Sequence, residues 1–264
     1  MNLNLNGKHV LITGGSKGIG LACAAAFAQE GAHISLVSRD LATLKAAEKQ
    51  LLTTFPKAQV AVFSADLIDD KAAQEAIEHA QARFGEIDIL VNSAGAAKRM
   101  PAAELTPQAW RNAFDAKFFT YINVMNPVVQ QMAKRGQGVI VNVIGAGGKT
   151  ASPIHLAGGS ANAALMLATA GMAAAYGPQG IRVNAVNPGQ TLTERLKEGL
   201  EATCKQEGID MGEAMKRATQ KVPLGRLAAP EEIAQTVVFL ASDQASYVTG
   251  VNINMDGGAT PTVV

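Results

Sequence analysis

The sequence predicts an α/β fold, a doubly wound, seven-stranded parallel sheet with helices on both faces. Seven short apolar runs alternate with helix-length segments along the chain. These intervening segments are long enough for the crossover helices that parallel strands require. A glycine-rich loop leads from the first run into the first helical pattern, as in folds of the Rossmann type. Together these observations predict a Rossmann-type sheet.

The predicted strands are apolar runs with the length and the β-branched content typical of buried strands. They cover residues 8–13, 33–38, 58–65, 87–92, 138–143, 181–186 and 251–256.

The predicted helices fill the segments between these strands. They cover residues 18–30, 41–54, 70–83, 107–134, 154–176 and 230–241. Residues 190–222 break the alternation and are richer in charge. We expect this excursion to lie over the carboxyl edge of the sheet, where open α/β sheets bind ligands. Because no linker or repeat interrupts the pattern, residues 1–264 are predicted to form a single domain.

Composition excludes several classes of protein. The chain has 264 residues, 48% of them hydrophobic, and a formal net charge of +1. This balance is typical of globular proteins and gives no electrostatic argument for a nucleic-acid or membrane partner. The two cysteines, Cys23 and Cys204, lie far apart, which favours reduced thiols and a cytoplasmic location. No metal site is predicted.

One uncharged stretch is long enough to span a bilayer. Between Lys149 and Arg182 there is no charged residue. Polar residues such as Asn162 and Thr169 dilute the stretch, and it lies within the strand–helix alternation. We therefore expect a buried helix with small residues that pack closely, and no membrane partner.

The glycine-rich loop TGGSKGIG, residues 13–20, predicts a phosphate site. Gly14, Gly18 and Gly20 leave the backbone free to turn sharply and to approach a pyrophosphate. The helix that begins here directs its free N–H groups and its positive dipole end at an anion. We expect a dinucleotide to contact the loop, including the residues between the glycines, Ser16, Lys17 and Ile19.

The end of the second strand predicts which dinucleotide is bound. An NAD(H) site usually has a carboxylate here, but this chain has Ser38 followed by Arg39. A guanidinium suits a 2′-phosphate, and Lys17 adds a second cation nearby. The pair favours NADP(H) over NAD(H). Asp40 is interpreted as the N-cap of the next helix.

Several motifs in the expected order identify a family. The loop TGGSKGIG, the segment SADL, the segment NSAG at 92–95, the segment IRVNAVNPG at 181–189 and the DGG that begins at Asp256 resemble the classical short-chain dehydrogenases/reductases over nearly the whole length. The resemblance implies hydride transfer between a nicotinamide and a carbonyl or alcohol of a small molecule. It also implies homotetramers or homodimers. It assigns further cofactor contacts to Asp66, Leu67, Asn92, Ala94, Gly95, Pro188, Gly189, Thr191 and Thr193.

The chain departs from the family pattern at all four catalytic places. The family uses an asparagine, a serine, a tyrosine and a lysine. An ungapped match puts Lys117, Gly145, Gly158 and Asn162 at these places. The asparagine and the lysine have therefore exchanged positions, and the tyrosine that would give or take the proton is missing.

Two main readings of this site remain open, and a third, a lyase or isomerase step in the same pocket, is favoured by no residue of the sequence. In the first, the chain is an enzyme in which another residue replaces the family's tyrosine as acid and base. Lys117 or His155 transfers the proton, and Asn162 lies beside them. Gly158 and Gly159 would then leave room for the imidazole or for a bulky substrate. In the second, the chain is a catalytically degenerate NADP(H)-binding protein, a sensor or a non-catalytic subunit. The orientation of Tyr121, one turn beyond Lys117, is left undetermined by the sequence.

Overall fold

A seven-stranded sheet forms the centre of the computed structural model, which describes residues 2–95 and 98–261. The strands are β1 His9–Thr13, β2 His33–Ser38, β3 Gln59–Ser64, β4 Ile89–Asn92, β5 Gly138–Val143, β6 Ile181–Pro188 and β7 Asn252–Met255. They are arranged in the order β3-β2-β1-β4-β5-β6-β7, and all neighbouring pairs run parallel. The predicted fold class is confirmed. The strand order reverses between β1 and β4, which is where such sheets bind ligands.

Helices cover both faces of the sheet. They are α1 Gly18–Gln29, α2 Leu41–Thr54, α3 Asp70–Phe84, α4 Pro107–Phe114, α5 Thr120–Arg135, α6 Leu156–Tyr176, α7 Glu194–Glu207, α8 Met211–Gln220 and α9 Pro230–Ala241. Buried side chains of α1, α2 and α9 form the core on one face of the sheet. Those of α3 and α5 form the larger part of the core on the other face. Because the sheet is buried on both faces, functional groups concentrate at its carboxyl edge.

The helix predicted over residues 107–134 is interrupted. A π-helical turn, Asp115–Phe119, separates α4 from α5. A π turn shifts the side chains that follow it around the helix axis, and such turns are frequent at functional sites. Lys117 lies in the middle of this turn.

The excursion at 190–222 folds into α7 and α8. Thr193 caps α7 and Asp210 caps α8, each accepting a hydrogen bond from a backbone N–H in the first turn. A bridge between Thr191 and Ala228 ties the start of the excursion to the segment before α9.

Helix α6 is the uncharged stretch that the sequence singled out. The segment Leu156–Gln179 is long and apolar enough to cross a membrane by length and composition, and 44% of its most apolar window is buried inside the protein. Ala161, Leu165 and Thr169 are fully buried at one side of the helix. We interpret α6 as a core helix that packs on β6.

Both cysteines are free thiols, as predicted. Cys23 is fully buried in α1, and burial raises the pKa of its thiol to about 12. Because the thiolate is the reactive form, Cys23 serves as a packing residue.

Candidate functional site

The glycine-rich loop has a backbone that only glycine permits. Gly14 has φ +66°, and a Cβ there would lie 2.7 Å from the carbonyl oxygen of Ser93. Gly18 has φ +58° and begins α1 beside the methyl group of Thr193, 3.4 Å from the place of a Cβ. A Cβ at Gly20 would collide with the Gly14 carbonyl. The loop is therefore a close-packed cradle at a helix N-terminus, which suits a phosphate.

The end of β2 presents unpaired polar groups next to this cradle. The hydroxyl of Ser38 is buried without a hydrogen-bond partner within the described residues. Arg39 and Lys17 are exposed, and neither takes part in an ion pair in the described part of the chain. A buried hydroxyl beside free cations fits a phosphate group. Asp40 caps α2 as predicted, accepting from the Thr43 N–H at 2.6 Å.

Two of the predicted cofactor residues, Asp66 and Leu67, follow the end of β3. Asp66 is exposed, and its carboxylate accepts from the Ile68 N–H at 3.2 Å. The side chain of Leu67 is buried in the core, and its carbonyl accepts from Asn123 at 3.0 Å. Asp66 therefore presents a carboxylate, and Leu67 presents backbone only.

A ladder of buried polar side chains runs beneath the site. Thr13 donates to Asn92 at 3.4 Å, Asn92 donates to Asn142 at 3.0 Å, and Asn142 donates to Thr169 at 3.0 Å. The ladder connects β1, β4, β5 and α6. Because the Asn92 side chain is committed to this ladder, it supports the site from below. The sequence analysis missed Asn142 and Thr169, although Thr13, Asn92 and Asn142 are register partners on neighbouring strands.

The loop after β4 joins the ladder to the π turn. The N–H groups of Ser93 and Ala94 donate to the Thr13 hydroxyl at 3.1 and 3.3 Å. Gly95 has φ +86°, and a Cβ there would collide with the carbonyl oxygen of Ala116. This close approach places the predicted cofactor loop directly against the turn that carries Lys117.

The segment after β6 closes the site from the other side. Pro188 ends β6, and a Cβ at Gly189 would lie 2.9 Å from the Cα of Asp256. Thr191 is buried, and its hydroxyl donates to the Gly189 carbonyl at 3.3 Å. Since the cap residue Thr193 touches the glycine-rich loop, the structure brings the predicted cofactor residues of the first and last thirds of the chain together.

Lys117 is a buried cation without a carboxylate partner among the described residues. Its side chain is 7% exposed, and its ammonium donates to the Tyr121 hydroxyl at 2.8 Å and to the Val143 carbonyl at 3.4 Å. The ammonium also lies 4.4 Å from the centroid of the Tyr121 ring. Burial, together with the charge of Arg195, lowers the pKa of Lys117 to about 7.

Tyr121 points into the protein and holds Lys117. It is fully buried, and its hydroxyl donates to the Val143 carbonyl. Burial raises the pKa of Tyr121, so the hydroxyl stays protonated. Tyr121 therefore acts on the site only through Lys117, as a positioning residue.

His155 and Asn162 lie against the turn that follows β5. His155 occupies the N-cap position of α6, and its Nδ1 is buried without a partner within residues 2–95 and 98–261. Its ring packs on Gly147, with Cδ2 3.2 Å from the place of a Cβ. The side-chain nitrogen of Asn162 lies 3.4 Å from the corresponding place at Gly145. His155 and Asn162 therefore lie close to the end of β5, where the Val143 carbonyl accepts a hydrogen bond from Lys117.

The surroundings of His155 favour the neutral form of its imidazole. Burial lowers its pKa first, and the charges of Arg99, Arg195 and Lys117 lower it further. A neutral imidazole is a hydrogen-bonding group rather than a ready proton donor. Lys117 has a pKa of about 7, so more of it than of His155 is protonated at pH 7 and available to donate a proton.

The expectation that Gly158 and Gly159 leave open space is wrong. Gly158 is buried. A Cβ at Gly159 would lie 2.8 Å from the carbonyl oxygen of Gly147. The two glycines let α6 approach the turn after β5 closely, and they do not create a pocket for a ring or a bulky substrate.

The part of the chain that the structure describes holds no group of three or more His, Cys, Asp or Glu side chains arranged for a metal ion. The polar groups at the carboxyl edge are instead hydroxyls, amides and cations, which suit an anionic organic ligand.

The sequence matches known proteins over nearly its whole length. Residues 14–260 match a family model described as enoyl-(acyl carrier protein) reductase. The D-threitol dehydrogenase of Mycolicibacterium smegmatis is 34% identical over 259 residues, which cover 98% of this chain and 95% of that protein.

Two solved structures show the same fold. L-Sorbose reductase from Gluconobacter frateurii, complexed with NADPH and L-sorbose, is 31% identical with a TM-score of 0.94 and full coverage of both chains. An NADPH-bound short chain oxidoreductase from Pseudomonas aeruginosa, described as containing an atypical catalytic center, is 31% identical with a TM-score of 0.88. That match covers 97% of this chain and 98% of the other.

Proposed function

Because the chain belongs to the classical short-chain dehydrogenase/reductase family, we propose that it is an NADP(H)-dependent oxidoreductase that uses Lys117 as its acid and base. Its substrate is a small molecule with a carbonyl or an alcohol group. The observation that carries this proposal is the buried ammonium of Lys117, which has no carboxylate partner in the described chain and a pKa of about 7.

The residues around the glycine-rich loop fit NADP(H). The loop would hold the pyrophosphate, and Ser38, Arg39 and Lys17 would hold the 2′-phosphate. The two structural neighbours, both determined with NADPH, support this choice. The bound cofactor supplies the hydride that a carbonyl carbon accepts.

In this proposal Lys117 donates and accepts the proton. At pH 7 its two protonation states are nearly equally populated, so the ammonium can donate to a carbonyl oxygen and the amine can accept from a hydroxyl. Tyr121 and the Val143 carbonyl fix the position of the Nζ atom. A positioned acid of this kind contributes about 10²–10⁴-fold to the rate.

His155 and Asn162 orient the substrate oxygen in this proposal. Asn162 replaces the charged lysine of the family pattern with a neutral amide, and it lies near Gly145, where the pattern has a serine. The unpartnered Nδ1 of the neutral His155 adds a second hydrogen-bonding atom. Lys117 thus remains the group among these three that changes charge near pH 7.

The test is NADPH oxidation with a panel of ketones, aldehydes and sugars. We expect turnover by the wild type, a loss of about 10²–10⁴-fold in kcat for Lys117→Met, and a smaller loss for His155→Ala. Lys134→Met, an exposed site at the end of α5, is the matched control and should retain wild-type turnover. Tight NADPH binding without turnover of any member of the panel would instead support the catalytically degenerate protein.

A further inference from the structure

Three cations converge on His155 from separate segments of the chain. Arg99 lies in the loop before α4, Lys117 in the π turn and Arg195 in the first turn of α7. We call Arg99, Lys117 and Arg195 the cationic cluster. The charge of each member lowers the pKa of His155, an effect that requires the groups to be close. The charge of Arg195 likewise lowers the pKa of Lys117, and the charge of Arg99 lowers the pKa of Arg195.

Backbone contacts hold the cationic cluster together. The Met100 N–H donates to the Ile154 carbonyl at 2.9 Å, which ties the loop of Arg99 to the residue before His155. The ammonium of Lys117 is fixed by the hydrogen bonds described above. The first turn of α7 begins beside the glycine-rich loop, against which its cap residue packs. The segments that carry the three cations are therefore each held in place by contacts with the rest of the protein.

The protein does not neutralise this charge at close range. Within the described residues, none of the three members forms an ion pair within 4 Å. Glu198 raises the pKa of Arg195, but it does so from a greater distance. Cations that repel one another at a partly desolvated site favour the binding of an anion there.

The phosphates of the cofactor do not account for the whole cluster. Lys117 is bonded to the end of β5, whereas the glycine-rich loop follows β1. Strand β4 lies between them, so the two sites are about 10 Å apart across the sheet. Lys117 therefore lies away from the loop that would hold the phosphates of the cofactor.

We propose that the substrate carries a carboxylate or a phosphate group, which Arg99 and Arg195 bind while Lys117 faces the reacting carbonyl or hydroxyl group. This inference rests on the proposed function and specifies the class of its substrate. Arg99 and Arg195 are exposed, whereas Lys117 is buried. A molecule with both an acidic group and a carbonyl could contact the exposed arginines and the buried ammonium together.

The first test compares substrates with and without the charge. NADPH-dependent reduction is measured for oxo acids against their methyl esters, and for dihydroxyacetone phosphate against dihydroxyacetone. We expect kcat/KM to favour one class of charged substrate by about 10–100-fold, the effect of one charge-assisted hydrogen bond. The two pairs distinguish a carboxylate from a phosphate.

Variants assign this preference to the cluster. Arg99→Gln and Arg195→Gln should lower the preference for the charged substrate over its uncharged partner, expressed as the ratio of the two kcat/KM values, by about tenfold or more. The ratio is the readout because loss of the Arg195 charge also changes the pKa of Lys117 and therefore affects both substrates. Lys197→Gln, an exposed cation on the same helix as Arg195, is the control and should leave the ratio unchanged. Equal kcat/KM for charged and uncharged partners would overturn the inference. So would an Arg195→Gln variant that weakens only NADPH binding.

A second test does not depend on turnover. Thermal unfolding of the NADPH-saturated protein is measured with added succinate, dimethyl succinate or inorganic phosphate. Succinate or phosphate should raise the Tm of the wild type, and neither should do so in the variant that combines Arg99→Gln and Arg195→Gln. Absence of any shift would overturn the anion site even if carbonyls were reduced. A rise in Tm without any carbonyl reduction would contradict the proposed function and still support the anion site.

Discussion

At the scale of single residues, the proposed chemistry depends on Lys117. A buried ammonium costs free energy unless it is paired, and here it is stabilised by a tyrosine hydroxyl, a carbonyl oxygen and an aromatic face. These groups are neutral and compensate only partly for the lost hydration. The lowered pKa of Lys117 is the direct consequence, and it is also the property that an acid at neutral pH requires.

The same shift predicts a pH-dependent stability. The pKa of Lys117 is about 7 in the folded chain and 10.5 in the unfolded reference. Between these values the unfolded state binds one more proton, so this group makes stability rise with pH. Below pH 7 the cost of burying the charged lysine is present in full and does not change with pH. Lys117→Met removes the charge, so the variant should be more stable at pH 6 than the wild type. That advantage should shrink by about 2–3 kcal/mol by pH 9.

Urea unfolding of the apoprotein at both pH values measures this difference. Lys134→Met is the control, and its difference from the wild type should stay within about 0.5 kcal/mol at either pH because the side chain is exposed. A Lys117→Met advantage that does not depend on pH would show that the lysine is not shifted.

Arg39 is predicted to set the cofactor preference. Arg39→Ala should raise the Kd for NADPH by about 10–100-fold, because one charge-assisted hydrogen bond to the 2′-phosphate is lost. The Kd for NADH should change by less than about threefold, since NADH has no such phosphate. Fluorescence titration of both cofactors measures this, with the exposed Lys57→Ala as control. An equal loss for both cofactors would refute the assignment.

At the scale of elements, strand and helix positions follow from the sequence, and the π turn does not. Apolar runs such as 138–143 appear as strands with the predicted bounds, because buried parallel strands leave a continuous hydrophobic signal. The π turn at Asp115–Phe119 lies inside a helical pattern and changes only which way the side chains point. Apolar periodicity is too coarse to detect that change, so the burial of Tyr121 was not predicted.

The polar ladder is a second element-scale feature, and it connects the sheet to α6. Asn142 accepts from Asn92 and donates to Thr169. Its removal leaves the buried side-chain nitrogen of Asn92 without its acceptor and takes one hydrogen bond from the Thr169 hydroxyl, which still donates to a backbone carbonyl. Asn142→Ala should lower the free energy of unfolding by about 2–4 kcal/mol. Gln59→Ala, on the exposed side of β3, should change it by less than about 0.5 kcal/mol. Equal effects in chemical denaturation would mean that the ladder adds no stability.

At the scale of the whole molecule, α6 presents an uncharged exposed stripe. Leu167 is 76% exposed, and its neighbours along the same side, Ala163 and Gly171, are exposed as well. Phe119 and Trp110, on the adjoining π turn and α4, are also partly exposed. An apolar surface of this kind is typical of protein–protein contacts. It supports the prediction from the sequence that the chain forms homodimers or homotetramers.

Leu167→Glu tests this assembly. The substitution puts a charge on the stripe without touching the core, so we expect a smaller species in analytical ultracentrifugation and little loss of stability. Leu41→Glu, at a 52% exposed site on α2, is the matched control and should keep the wild-type mass. An unchanged mass for Leu167→Glu would exclude this stripe as an interface.

The candidate site was only partly predictable at this scale. The sequence predicts a role for the cofactor loop and the residues at the end of β2, and it predicts the exchange of asparagine and lysine, because motif spacing carries that information. It did not show that Arg99 and Arg195 approach His155, since Arg99 lies in a loop and Arg195 in α7, both are distant from His155 in sequence, and neither follows a motif. It also suggested space at Gly158 and Gly159, which close helix packing removes.

The central claim is that Lys117 is the proton donor, and the pH profile of kcat/KM for NADPH-dependent reduction tests it most directly. Lys117 must be protonated to donate, so the wild-type rate should fall as pH rises through about 7. Lys117→Met should be slower by about 10²–10⁴-fold and show no such fall. A Lys117→Met variant with the wild-type rate and the wild-type profile would contradict the account.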